Sequence, residues 1–212
     1  YKTGDNDLSV NWKVLPRTIT AAFTADASDF IYNGSEQGLT LTISGFVNTD
    51  YGTNLKFKVD TDTTNNAVSA SGTTYRHTLK AVNAGSYSVS VSIDTSSARY
   101  DCYVLSGTVT DSFKITKKTA ALIWSLDGKT VLGAEYDGEE HTVTATISNP
   151  ALTTDACTVI LVDNVAVNAG KYTAKAVGLS NDNYSLDGEP VCEYTITPRL
   201  LEISWEQSAE YV

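Results

Sequence analysis

The chain has 212 residues, a formal net charge of -10 at pH 7, 19% charged residues and no methionine. The acidity argues against nucleic acid as a partner, because binding to phosphates requires clustered lysine and arginine. The sequence has no run of about 18 apolar residues, so we expect no membrane insertion of this fragment. The length allows one or two domains, and the abundance of threonine and valine favours strands.

Apolar residues alternate with hydroxyl-bearing residues in Leu39–Ile43, Tyr87–Ile93 and Val143–Ile147. A period of two places apolar side chains on one face of a β-strand. No stretch of ten residues keeps a helical period, so we predict an all-β chain. Tight turns are predicted at four Asn-Gly or Asp-Gly pairs, which are Asn33-Gly34, Asp127-Gly128, Asp137-Gly138 and Asp187-Gly188.

The sequence also repeats itself. Tyr103 and Trp124 recur 81 residues later as Tyr184 and Trp205, whereas the segment that starts at Tyr32 recurs 104 residues later. The segment that starts at Ala84 recurs 85 residues later at Ala169, so the first copy carries about 19 extra residues (104 minus 85) between Ser44 and Ala84. We place them at Val47–Asn66, as a hairpin built on Leu55–Val59. Self-similarity at a fixed spacing predicts an array of structural units.

Four segments follow from this alignment. Residues 17–117 form the first repeat, with its insertion near 47–66, and residues 118–198 form the second. Residues 1–16 resemble the closing strand of a preceding repeat, and residues 199–212 the opening strand of a following one. Each copy is long enough to fold alone. We predict two tandem immunoglobulin-like β-sandwich domains, with β-grasp-like repeats as the alternative.

The three cysteines do not have the paired spacing of a zinc site. Cys157 and Cys192 both belong to the second copy, where they form either a disulfide or two separate thiols. Cys192 shares the strand parity of Tyr194 and Ile196, so we expect it to face the core. Cys102 has no partner in its own copy.

No other residue set predicts catalysis or metal binding. His77 and His141 occupy non-equivalent positions and are expected at exposed strand ends. The segment Asp60–Asn66 resembles a calcium loop but lacks the required glycine and glutamate, which favours an exposed turn. Trp124 and Trp205 are repeat-equivalent, which favours packing over a sugar-stacking platform. We therefore expect no enzyme, no metal and no cofactor.

Motifs of the second copy resemble the MBG/YDG-type repeats of large bacterial surface proteins. The first copy matches less closely, because Asn33 replaces the aspartate of Tyr136-Asp137-Gly138. The resemblance implies an extracellular, adhesin-like protein on the bacterial cell surface or attached to the cell wall. Its partners would be adjacent repeats of the same chain and a host glycan or protein. The matching segments are Tyr136–His141, Asn168–Tyr172, Leu179–Leu186 and Tyr194–Pro198.

These observations together predict a non-enzymatic fragment of a bacterial cell-surface repeat protein that serves as a stalk or as an adhesion module. We place adhesion at Val47–Asn66, because that segment breaks the repeat. The alternative is a carbohydrate-binding or accessory module of a secreted glycoside hydrolase.

Overall fold

A computed structural model of the chain describes residues 11–205. These residues divide into two compact units, residues 11–30 with 35–115 and residues 31–34 with 116–205. Over residues 11–205 the regular elements are strands and one 3-10 turn at Tyr100–Cys102. No helix in this range is long and apolar enough to cross a bilayer. The prediction of an all-β chain is confirmed.

The first unit contains two sheets. The last residues of strands β2 (Phe30–Ile31) and β9 (Thr110–Thr116) already belong to the second unit. One sheet has the order β5-β6-β3-β1-β8 and the other the order β2-β9-β7-β4. Strand β1 runs antiparallel to β3 and parallel to β8. The strands are β1 (Arg17–Ala25), β2 (Phe30–Ile31), β3 (Gln37–Ser44), β4 (Phe57–Thr61), β5 (Asn65–Ser71), β6 (Thr74–Ala81), β7 (Gly85–Ile93), β8 (Tyr103–Gly107) and β9 (Thr110–Thr116).

This strand order is that of an immunoglobulin-like sandwich. In such folds strands A, B, E and D form one sheet, and C, F and G form the other. Here β1, β3, β6 and β5 take positions A, B, E and D. Strands β4, β7 and β9 take positions C, F and G, and β2 lies beside G. The predicted immunoglobulin-like fold is therefore present, and the β-grasp alternative is not.

Alternation along the strands explains the core of the first unit. Leu39, Leu41 and Ile43 of β3 are buried, while the threonines between them are half-buried. Burial of each such aliphatic side chain contributes roughly 1.5–3 kcal/mol. The pattern therefore fixes which face of β3 points inward, since a slip of one residue would expose every apolar side chain.

The second unit repeats this order in a shorter form. Strands β11, β13 and β15 take positions A, B and E, while β14, β16 and β18 take C, F and G, with β12 beside G. A separate pair is formed by β10 and β17. The strands are β10 (Lys118–Thr119), β11 (Leu122–Leu126), β12 (Gly133–Glu135), β13 (His141–Ile147), β14 (Val159–Val162), β15 (Val165–Ala166), β16 (Gly170–Leu179), β17 (Tyr184–Ser185) and β18 (Val191–Thr197).

The extra residues of the first copy lie elsewhere than expected. Leu55–Val59 does not form a hairpin of its own, because β4 is strand C of the sandwich and pairs with β7. Within residues 11–205 the strand without a counterpart in the second unit is β5, in position D, which pairs with β6. The extra length of the first copy therefore forms strand D and a longer strand E.

The second unit contains a cluster of buried side chains. Trp124 and Tyr172 pack partly buried against it. Cys192 is 4% exposed and belongs to the cluster, as its strand parity predicts. The buried members are Leu126, Val143, Ala166, Ala174, Cys192, Tyr194 and Ile196.

The segments assigned to neighbouring repeats are only partly described. Residues 11–16 and 199–205 form no strand, and residues 1–10 and 206–212 lie outside the described residues. Trp12 is 80% exposed and Trp205 is 91% exposed. The assignment of both segments to neighbouring repeats stays a prediction.

Candidate functional site

A buried carboxylate organises one end of the first unit. Asp50 is 2% exposed and lies between strands B and C. It accepts a hydrogen bond of 2.5 Å from the Tyr103 hydroxyl and an ion-paired one of 2.7 Å from Arg99 Nη1. The N–H of Val47 donates to the same tyrosine oxygen at 3.2 Å. Both carboxylate oxygens are therefore satisfied, as a buried charge requires.

The second unit contains the same arrangement. The Tyr184 hydroxyl donates to Asp155 Oδ2 at 2.5 Å and accepts from the N–H of Ala151 at 2.7 Å. The position that Arg99 fills in the first unit is taken by Tyr32, whose hydroxyl donates to Asp155 at 3.2 Å. The rings of Tyr32 and Tyr184 meet edge to face with centroids 5.6 Å apart. We call Tyr103–Asp50 and Tyr184–Asp155 the tyrosine–aspartate pairs.

Electrostatics keep these tyrosines protonated. Burial, together with the adjacent Asp155 carboxylate, raises the pKa of Tyr184 to about 12. Burial and the hydrogen bond to Asp50 also raise the pKa of Tyr103. A protonated hydroxyl beside a carboxylate is a strong, short hydrogen-bond donor. The pairs can therefore fix the loop between strands B and C against the segment that precedes strand G.

Sequence reasoning identified the two tyrosines as repeat-equivalent but missed their aspartates. A signal was present, because Thr49-Asp50 and Thr154-Asp155 are the same dipeptide 105 residues apart. The tyrosines align at an offset of 81, and the extra strand of the first copy hides the correspondence.

Each unit also pairs its opening strand in parallel with a strand near its end. Strand β1 runs parallel to β8, with Arg17 opposite Tyr103. In the second unit β10 runs parallel to β17, and β12 runs parallel to β18 from Gly133–Thr195 to Glu135–Thr197. Two further backbone bonds extend the second contact, from Thr195 N to Leu132 O at 3.1 Å and from Tyr136 N to Thr197 O at 2.9 Å.

The predicted adhesive region of the first unit ends in an exposed edge strand. Among the described residues β5 pairs with β6 alone, and all its residues after Asn65 are exposed. Val68 is 55% exposed, and the strand contains neither a charge nor a proline. An open groove of about 420 Å³ lies at the start of β5 and beside its partner β6, lined by Glu36, Thr64, Asn65, Asn66, Ala67, Thr78 and Lys80. Unpaired backbone groups on such an edge can pair with another extended chain.

The expectation of exposed histidines is wrong. His77 is 9% exposed and His141 is 6% exposed. Both share strand parity with buried neighbours, His77 with Leu79 and His141 with Val143, so alternation could have predicted their burial. Burial lowers the pKa of His77, whose Nδ1 lies 3.1 Å from the Tyr75 hydroxyl.

His141 has a different electrostatic environment. Its Nδ1 lies 2.7 Å from Asp127 Oδ2, and its Nε2 lies 3.3 Å from Asp137 Oδ1. The second contact is close enough for charge attraction but is not aligned as a hydrogen bond. The hydrogen bond to Asp127 and the charges of both carboxylates raise the pKa of His141 against the opposing effect of burial.

The structure does not bring Cys157 and Cys192 together. All three cysteines are free thiols. Strand β16 separates β14 from β18, with Val162 opposite Lys175 and Lys175 opposite Val191. Val162, Lys175 and Val191 therefore lie side by side on three neighbouring strands. Cys157 precedes Val162 and Cys192 follows Val191, which separates the two cysteines by roughly 20 Å along the strands. A disulfide requires Cα atoms within about 7 Å of each other.

The segment that resembles a calcium loop, Asp60–Asn66, is held by hydrogen bonds within the segment and to strand β7. Asp62 accepts from the N–H of Ser88 at 2.7 Å, and the Thr63 hydroxyl donates to Asn66 at 2.9 Å. Among residues 11–205, no group of three or more His, Cys, Asp or Glu side chains is arranged to hold a metal ion.

No family model matches the chain, and no curated protein matches it. Similar solved structures include the Yersinia pseudotuberculosis adhesin InvE, at 14% identity over 85% of this chain and 58% of that one, with a TM-score of 0.38. Yersinia pseudotuberculosis InvD matches at 18% identity over 91% of this chain and 60% of that one, with a TM-score of 0.31.

The D0-D1 domain of Intimin matches at 15% identity over 82% of this chain and 97% of that one, with a TM-score of 0.26. The chain thus spans 58% and 60% of the length of the two Yersinia structures. Since all these TM-scores are below 0.5, the fold of the chain is assigned from its own strand order.

Proposed function

We propose that the chain is a non-enzymatic segment of a bacterial cell-surface repeat protein that acts as a stalk. The internal repeat and the motifs that resemble MBG/YDG-type repeats support this role and an extracellular location. Two consecutive units with the same strand order and the same tyrosine–aspartate pair support an array of similar modules.

The parallel pairing of β12 with β18, the last strand of the second unit, is the observation that carries the proposal. The chain enters the second unit at β10 and leaves it at β18. Tension on the chain pulls β12 and β18 in opposite directions along their length, because the two strands are parallel. The evenly spaced bonds of a parallel ladder then resist together instead of breaking one after another. This geometry suits a module that transmits force.

Single-molecule force spectroscopy on the full chain tests the proposal. We expect two unfolding events, one for each unit. Thr195→Pro removes the N–H that bonds Leu132 O and should lower the force of one event. Glu193→Pro is the matched control, because Glu193 lies two residues earlier on the same edge, outside the residues that pair with β12. Equal forces for the native chain and both variants would contradict the stalk role.

Adhesion at the β5 edge is a second candidate function, favoured by the exposed, uncharged strand and by the polar groove at its start, which Glu36 and Lys80 also line. A glycan and host-protein binding screen with the full chain tests it. Val68→Lys should abolish any binding that uses this edge. Val104→Lys is the control, because Val104 is 50% exposed on β8 at the opposite edge of the same sheet. Specific glycan binding without mechanical resistance would favour a carbohydrate-binding module.

A further inference from the structure

A short turn far from the rest of the second unit in sequence belongs to it. Residues Ile31–Gly34 are part of this unit, whose remaining residues begin at Thr116. Tyr32 is 4% exposed, bonds Asp155 through its hydroxyl and packs edge-on against Tyr184. Its N–H donates to Thr116 O at 2.9 Å.

The glycine of this turn is closely packed as well. Gly34 has a φ of +77°, and a Cβ placed on it would lie 2.4 Å from Cγ of Leu152. Asp155, Tyr184 and Leu152 thus form a seat that holds a Tyr-Asn-Gly turn by charge, aromatic contact and apolar packing. We call these three residues the seat.

The second copy contains the same turn at the equivalent position. Tyr136 donates its N–H to Thr197 O at 2.9 Å, as Tyr32 does to Thr116 O. Asp137 accepts from the N–H of Glu139 at 2.9 Å, and Gly138 has a φ of +91°. The backbone of this turn is therefore already formed.

The second turn has different surroundings from the first. Tyr136 is 38% exposed, and its hydroxyl has no hydrogen-bond partner among residues 11–205. A Cβ on Gly138 would meet nothing within 4 Å. The tyrosine and the glycine that are covered in the first turn are thus open in the second.

We propose that Tyr136–Gly138 docks into the seat of a further copy of this repeat. The aspartate and tyrosine that correspond to Asp155 and Tyr184 in that copy receive the Tyr136 hydroxyl and ring. Both copies in this chain carry the tyrosine–aspartate pair, so the acceptor is a property of the repeat. This inference rests on the proposed role of the chain as part of a repeat array, and it names the partner and the contact.

An extended chain tests the docking directly. Residues 1–205 are followed by a second copy of residues 125–198, which keeps the 81-residue spacing and puts Trp205 in the place of Trp124. A double-mutant cycle then combines Tyr136→Phe with a second substitution in the added copy. There, the aspartate that corresponds to Asp155 is changed to asparagine. The reference is the cycle of Tyr32→Phe and Asp155→Asn in the native chain.

In both cycles we expect the two substitutions to be coupled by about tenfold in the unfolding equilibrium constant of the unit that contains the seat. The reason is that the tyrosine hydroxyl donates to a carboxylate. Additive effects in the extended chain beside a coupled reference would overturn the proposal. An uncoupled reference would overturn it too, because the seat would then not bind its turn. These outcomes do not depend on the force experiment, which tests the stalk role.

A single variant of the native chain addresses the fit without an added copy. Asn33→Asp gives the seated turn the sequence of Tyr136-Asp137-Gly138. If that sequence fits the seat, the Tyr32–Asp155 coupling stays within about twofold of its native value. Loss of the coupling would show that the second turn does not suit the seat and would overturn the proposal.

Discussion

The hydroxyl of Tyr184 donates a hydrogen bond of 2.5 Å to Asp155 and ties the loop after strand B to the segment before strand G. The same bond joins Tyr103 to Asp50 in the first unit. The two repeats therefore share an internal polar contact as well as a strand order. Because Tyr184 is 2% exposed, its hydroxyl depends on these partners.

Tyr184→Phe should destabilise the second unit by about 2 kcal/mol, because it leaves the Ala151 N–H without an acceptor and removes a donor to Asp155. Urea unfolding followed by tyrosine and tryptophan fluorescence measures the change. Tyr136→Phe is the control, with an expected change within about 0.5 kcal/mol, because no described residue bonds its hydroxyl. Equal losses in the two variants would contradict the prediction.

Arg99→Gln should destabilise the first unit by about 1–2 kcal/mol, because Asp50 is buried and loses a charged donor. The arginine side chain is 52% exposed, which limits the loss through solvent screening. Lys58→Gln is the control, since the Lys58–Asp60 pair is exposed on both sides and should contribute almost nothing. Thermal unfolding of both variants, in low and high salt, separates the two cases.

Much of the fold could be predicted from local patterns. Alternation at Leu39–Ile43 and Val143–Ile147 identified strands β3 and β13, because period-two burial is a local property. The same alternation predicts buried His77 and His141, but their side-chain chemistry suggested exposure instead. A histidine on an inward-facing strand position is buried when a neighbouring hydroxyl or carboxylate bonds its ring.

The candidate site was harder to predict, because it depends on contacts between distant residues. Asp155 lies 29 residues before Tyr184 and 123 residues after Tyr32. The tyrosine-asparagine-glycine motif indicated a turn, which Gly34 confirms with its positive φ. Nothing local in that motif shows that the turn belongs to the second unit. The pairing of β5 with β6 likewise depends on the order of strands in the sheet, which local patterns do not show. The insertion predicted at Val47–Asn66 therefore lies too early in the chain.

Strand β5 should promote weak self-association, because it is an uncharged edge with unpaired backbone groups. Val68→Lys should reduce association, since a charge on an edge strand opposes pairing with another edge. Sedimentation velocity over a range of protein concentrations measures this. Val104→Lys on β8 changes net charge equally and should have the smaller effect. The reverse order of the two variants would place the contact at the other edge of the sheet.

The two buried histidines should give the units opposite pH dependence. His77 has a lowered pKa, so the unfolded chain binds more protons near pH 6 than the folded first unit does. The stability of this unit should therefore fall as the pH decreases below the ordinary histidine pKa of 6.5. His141 has a raised pKa, so its contribution is complete below pH 6.5 and is lost as the pH rises through its folded-state value.

Urea unfolding of the full chain at intervals between pH 5 and 8 should thus show the first unit gaining and the second unit losing stability with increasing pH. His77→Gln should remove the slope of the first unit alone, and His141→Gln that of the second unit alone. Each variant serves as the control for the other, because the two histidines lie in different units. If His141→Gln left the slope of the second unit unchanged, the contacts with Asp127 and Asp137 would not be its source.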